Sequence, residues 1–269
     1  MKSYYNADSS AHLTAENNAM NRAASKRQTP SFRFLCLLTL CPLAGCTTTH
    51  LEYDRMSGTT FPPAQTVNGE TVTLTSIYLK AGKLLAVTED DTAIAALSGD
   101  SISNSELDSL ESANRSSPMD PAERPCGFWI FRGTCTDYHL YGIVVNHFGE
   151  DSSGNKSTSL MGRMWTTGNR RAFANFYKNT TVSGDGGKYL RSAAHEIGHA
   201  FNLHHEDGDG VKTIMNQTSV VGDNYAYEFS ATSLNHLKNH PAHCVFPGTG
   251  SFFSCVPDHP DHVTQDCEE

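Results

Sequence analysis

The sequence predicts an α+β domain built on a twisted mixed β-sheet, and three observations carry that expectation. Short β-branched and aromatic runs between residues 71 and 177 read as strands. A segment at 103–114 and a longer one from Lys188 to Phe201 place apolar residues at helical spacing. The composition is that of a globular protein: 269 residues, 38% hydrophobic and 9% aromatic, enough for one substantial core.

Residues 1–45 stand outside that domain. Arg22, Lys26, Arg27 and Arg33 precede the apolar run 34–40, which is too short to span a bilayer and reads as an export signal. The 19 residues ahead of Met20 are polar and unpatterned, so Met20 is an alternative start. Leu43-Ala44-Gly45-Cys46 resembles the bacterial lipobox, in which the Cys is acylated and opens the mature protein. The resemblance implies a lipoprotein held to the membrane through Cys46. Thr47 in the next position resembles the outer-membrane sorting signal of Gram-negative lipoproteins. Removing residues 1–45 takes away five basic and two acidic residues, moving the net charge from −9 to −12. That sign disfavours nucleic acid and anionic headgroups as partners of the protein body.

Residues 46–69 are Thr-, Pro- and Gly-containing and lack a period, so a tether is expected there. The folded domain is expected over 70–257, followed by a tail at 258–269. Residues 71–79 alternate with period two and read as a strand, with 83–88 as its partner. At 103–114 the pattern turns helical, with Ser103 as N-cap and Glu106 completing a capping box. After a linker-like stretch at 116–125, the runs 127–131 and 140–148 read as central strands, 159–166 as a shorter one and 172–177 as another. The helix beginning near Lys188 has Leu190, Ala194, Ile197 and Phe201 at helical spacing.

Within the 188–201 helix, Ala194-His195-Glu196-Ile197-Gly198-His199 sets two histidines four residues apart. At 3.6 residues per turn both imidazoles share one face, which suits two neighbouring ligands of a tetrahedral metal. Glu196 projects beside the pair, where a carboxylate can act as a base without filling a coordination position. Asn202 accepts a left-handed conformation at low cost, ending the helix and returning His205 as a third ligand.

These residues match a known pattern: His195-Glu196-x-x-His199-x-x-Asn202-x-x-His205 resembles the zinc signature of the metzincin metallopeptidases, HExxHxxGxxH, with Asn for the usual Gly. Met215, ten residues beyond His205, is similar in place to the family's Met-turn. The resemblance implies a metzincin-like fold with an active-site helix, Met-turn and C-terminal helix, the last expected at residues 230–239. It also implies Zn2+ on His195, His199 and His205, Glu196 as general base, and a polypeptide substrate lying along an edge strand. Residues 160–165 are the expected edge, with Met164 and Trp165 as substrate contacts. A monomeric zinc endopeptidase anchored in the bacterial envelope, at the outer membrane, is the expected whole.

Other readings compete at several positions. His204 is one residue short of the family spacing and reads as a neighbour of the site. Glu206 or Asp209 would serve as third ligand in a different zincin clan, and a lipid-anchored binding or adhesion module with structural zinc is a non-enzymatic alternative. Five cysteines remain after the signal and Cys46: the nearest pairs are Cys126 with Cys135 and Cys244 with Cys255 or Cys267, and the spacing does not fix connectivity. Arg124-Pro125-Cys126-Gly127 is similar to the latency segment of matrixins, although a disulfide half is the stronger reading of Cys126. Neither Tyr225 nor Tyr227 stands where astacin-like members place an extra Tyr ligand. His236, His240, His243, His259 and His262 make the C-terminal part His-rich without compact ligand spacing.

Overall fold

The structure is a computed structural model that describes residues 47–252 apart from 91, 97–100, 127–132, 151–155, 158–159, 180, 208–209, 211 and 223–225. All described residues belong to one compact unit, Leu43–Glu269. Cys46, Asp209, Tyr225, His259, His262 and the run 127–131 lie outside the described residues.

The central sheet is six-stranded and mostly parallel. Its strands are β1 (Thr48–Arg55), β4 (Leu84–Glu89), β6 (Ala122–Cys126), β7 (Gly133–Val145), β10 (Gly162–Arg163) and β11 (Ala172–Phe176). The order is β10-β11-β7-β1-β4, with β6 paired to the opening half of β7. β1 runs parallel to both β4 and β7, and β11 runs parallel to β7. Only β10 and β6 pair antiparallel within this sheet. A hairpin of β2 (Gln65–Val67) with β3 (Glu70–Val72), and a small sheet of β5 (Ser101–Ile102), β8 (His147–Glu150) and β9 (Lys156–Ser157), complete the strands. Six helices accompany them among the described residues: α1 (Leu74–Lys80), α2 (Asn104–Asn114), α3 (Gly186–Ala200), α4 (Thr218–Val221), α5 (Ala231–Asn239) and α6 (Ala242–Val245).

Two expectations are corrected. The supposed tether at 46–69 contains β1, an inner strand of the sheet, and the hairpin strand β2. The reason is visible in its pattern: Thr49, Leu51 and Tyr53 are buried on one face. Its acidic residues are also satisfied, since Tyr141 donates to Asp54 at 2.9 Å and the backbone N–H groups of Ser116 and Ser117 donate to Glu52. The supposed strand at 71–79 is instead the end of β3 followed by α1. Thr73 and Ser76 cap that helix reciprocally, and Leu74, Ile77 and Tyr78 at spacings of three and four bury one face. β4 pairs with β1 rather than with the 71–79 segment. Because β1, α1 and β4 form a parallel crossover, the sheet is mostly parallel.

Some elements fall where the sequence put them. α2 begins at the Ser103 cap with Glu106 closing the box, and Leu107 and Leu110 are buried. Two further expectations are corrected: the 140–148 run divides at Asn146 between β7 and β8, and the linker-like 116–125 stretch contains most of β6, a strand held by its pairing with β7. Cys135 and Cys244 are each disulfide-bonded, while the side chains of Cys126, Cys255 and Cys267 lie outside the described residues. No described helix is long and apolar enough to cross a membrane.

Side chains alternate across the sheet into two cores. Leu51, Tyr53, Leu140, Val144 and Phe173 face α1 and α3. Met56, Ile143, Val145 and Phe176 face α2. α3 therefore lies in one layer, against β11 and β10, and is buried along nearly its whole length.

Candidate metal centre

α3 opens on Asp185, whose carboxylate accepts from the backbone N–H groups of Gly187 and Lys188. Its end is a Schellman arrangement. Asn202 takes φ 62°, its N–H donates to His199 O at 2.8 Å, and the N–H of Leu203 donates to Gly198 O at 3.0 Å. The left-handed turn expected at Asn202 is present, and it returns the chain so that His205 faces the helix.

His195, His199 and His205 are brought together. His205 Nε2 lies 3.0 Å from His195 Nε2 and 3.2 Å from His199 Nε2. Nitrogens at tetrahedral corners about 2.0–2.1 Å from one ion stand roughly 3.3 Å apart. The three ligand atoms thus lie close enough to share a metal ion. The far side of each helical ring is fixed: His195 Nδ1 donates to Ile214 O at 2.7 Å, and His199 Nδ1 donates to Leu203 O at 2.8 Å. In a neutral ring this leaves a lone pair on Nε2 of His195 and of His199, each able to bind a cation or to accept a hydrogen bond from His205 Nε2.

Burial, then the neighbouring histidine His205 and the Arg191 cation, hold the pKa of His195 well below the usual imidazole range; the bond to Ile214 O opposes the shift. Burial, then His195 and His205, does the same to His199. Both rings are therefore neutral near pH 7, the form that binds metal. The donor set, three neutral imidazoles with carbonyl-anchored far nitrogens, fits zinc; the metal itself is not identified by the geometry.

Glu196 is fully buried on the same helix. The backbone of β10 passes directly against it, since a Cβ added at Gly162 would fall 2.5 Å from Glu196 Cγ and 2.6 Å from Oε1. Only glycine allows that approach. On the other side of α3, Met215 is fully buried, and a Cβ at Gly198 would collide with its Sδ. The turn carrying Met215 is closed by Asn216, whose N–H donates to Thr213 O and whose side-chain amide donates to Glu206 O at 2.7 Å.

Several expected residues fall elsewhere. Met164 is 1% exposed within the α3-side core, so it offers nothing to a ligand. Trp165 packs on the α2 side and donates its indole N–H to Asp108 at 3.0 Å, which removes it from the metal layer. Both residues follow β10 rather than belong to it, and it is the main chain at Gly162 that meets Glu196. His204 stacks on Phe252 at 4.1 Å and takes no part in the triad. Glu206 is committed to Ser230, Ser233 and Thr213, whose hydroxyls donate at 2.5, 2.8 and 3.2 Å, so it is not a third ligand. Tyr227 donates to Gly187 O, at the opening turn of α3. Among the described residues no second cluster of metal ligands forms.

No protein-family model, no curated protein and no solved structure matches this chain. What bears on its function is the chemistry of the site itself. Sequence reasoning missed the carbonyls of Ile214 and Leu203, the glycine at 162 and Arg191. A lone glycine in an edge strand and an arginine four residues before His195 were the available signals for the last two.

Proposed function

We propose that this protein is a zinc endopeptidase of the metzincin type. The observation that carries the reading is the convergence of three Nε2 atoms beside a buried carboxylate that an edge strand overlies. The left-handed Asn202 and the packing of Met215 beneath Gly198 support the family resemblance. His195, His199 and His205 would hold the ion. Zinc held there would supply Lewis acidity, polarising a carbonyl and making a water acidic near neutral pH.

The remaining work falls to the chain. A polypeptide laid antiparallel along β10 would gain main-chain hydrogen bonds with little sequence preference. Glu196 would take the proton of the attacking water and deliver it to the departing amine. The buried surroundings of Glu196 keep bulk water away from that transfer. Export and acylation at Cys46 belong to the same proposal and place the activity at the bacterial envelope.

The test is Glu196→Gln. It should keep its metal and its unfolding temperature while casein or peptide-library cleavage falls by about 10²–10⁴-fold. Cleavage at the native rate in that variant, or a native protein that takes up no zinc, would remove the reading.

A further inference from the structure

Arg191 lies one helical turn before His195, and the chemistry above gives it no task. Its side chain is 2% exposed. The guanidinium donates to Thr213 O at 3.4 Å, Ile214 O at 3.1 Å, Asn216 O and Thr218 Oγ1 at 3.0 Å. Three of these acceptors are main-chain carbonyls of the turn that carries Met215. Ile214 O is also the oxygen that receives the Nδ1 proton of His195. One carbonyl thus joins the guanidinium to the first metal ligand.

Burying a guanidinium is costly, and an apolar side chain of similar volume would pack α3 on the turn without that cost. What an apolar residue lacks is a planar fork of donors that fixes several carbonyls at set distances. Spacing of four residues puts that fork on the face that presents His195.

We propose that Arg191 is a positioning residue: it locks the Met215 turn to α3 so that the Ile214 carbonyl aims His195 Nε2 at His199 and His205. This rests on the metal-centre reading. Arg170 supplies a matched contrast. It too is buried and collects carbonyls, those of Ala200, His243, Val245, Phe246 and Gly250, but none of these oxygens bonds a triad ring. Arg170 ties the C-terminal chain to the end of α3, which is a purely structural role.

The full-length protein, loaded with Zn2+ or Co2+, is compared with Arg191→Met, Arg191→Lys and Arg170→Met. Arg191→Met should weaken Zn2+ binding by about 10–100-fold, the usual effect of removing an outer partner of a metal ligand. It should also change the visible absorption of the Co2+ form, which reports ligand geometry. Arg191→Lys keeps the cation but not the fork and should fall between. Arg170→Met should lower the unfolding temperature of the metal-free protein and leave affinity and spectrum native.

Native affinity and spectrum in folded Arg191→Met would overturn the assignment, as would an equal spectral change in Arg170→Met. Should Arg191→Met not fold, Arg191→Lys decides: weakened Zn2+ binding supports the role and native binding overturns it. A native protein that takes up neither ion brings down the metal centre itself, an outcome distinct from uptake that is indifferent to Arg191.

Discussion

The two faces of the central sheet bury different kinds of residue. On the α3 face, His195, Glu196, His199, Arg170, Arg191 and Glu206 are all inside. On the α2 face the interior is largely apolar, with Met56, Ile102, Leu107, Ile143, Val145 and Phe176. Its buried carboxylates are few and bonded: Glu111 is met by Arg115 at 2.7 Å and Arg171 at 3.1 Å, and Asp54 accepts from Tyr141. Polar burial is costly unless each group is bonded. On the α3 face, carbonyls aimed from turns at Ile214 and Leu203 bond the rings of His195 and His199, other carbonyls bond the two arginines, and hydroxyls bond Glu206. Both faces supply apolar burial that offsets the cost, and the larger apolar cluster lies on the α3 side. The buried groups of the candidate site are thus confined to one of the two layers.

That division can be broken or sharpened by substitution. The largest effect belongs to the α3 face: His205→Ala should abolish tight metal binding and bring cleavage to background, read by metal analysis and peptide hydrolysis. On the α2 face, Leu107→Ala should cost about 2–5 kcal/mol in denaturant unfolding, through lost burial and a cavity, while activity per folded molecule is unchanged. Activity falling in proportion would join the two layers and end the contrast.

A pH titration comes next in size. His195 and His199 have folded pKa values depressed below their unfolded ones. Below the unfolded value of about 6.5 the unfolded chain binds more protons than the folded one. The metal-free protein should therefore keep its full stability above that pH and lose it on acidification, by about 1.4 kcal/mol per pH unit for each histidine. Stability flat from pH 7 to 5 would contradict the burial of neutral rings. Ser103→Ala, which removes the α2 cap, should cost about 1 kcal/mol in chemical denaturation. Smallest of all, Asn202→Gly should raise the unfolding free energy, read by chemical denaturation, by at most about 1 kcal/mol, since glycine adopts φ 62° without a Cβ penalty.

How much of this was readable beforehand follows from sequence distance. His195, His199, Asn202 and His205 sit within one helix and its terminal turn, so local rules of spacing and handedness suffice to assemble them. The capped start of α2 was readable for the same reason. β1 was not: its identity as a strand comes from pairing with β4 and with β7, more than 80 residues away in the case of Asp137. The Thr-rich 71–79 run alternates like a strand, and the Thr73–Ser76 capping box together with packing of Tyr78 against Phe201 and Phe229 selects the helix. Gly162 and Arg191 become meaningful only when β10 and the 213–216 turn are folded onto α3.

The placement of β1 also bears on where the molecule could work. With acyl chains on Cys46, as proposed, Thr47 alone would separate the lipid from the first paired residue of the sheet. Two residues extend by no more than about 7 Å, comparable to the depth of one headgroup layer. A protein so anchored would have no leash: its body would ride on the bilayer surface and would meet proteins that lie along the membrane or come down to it.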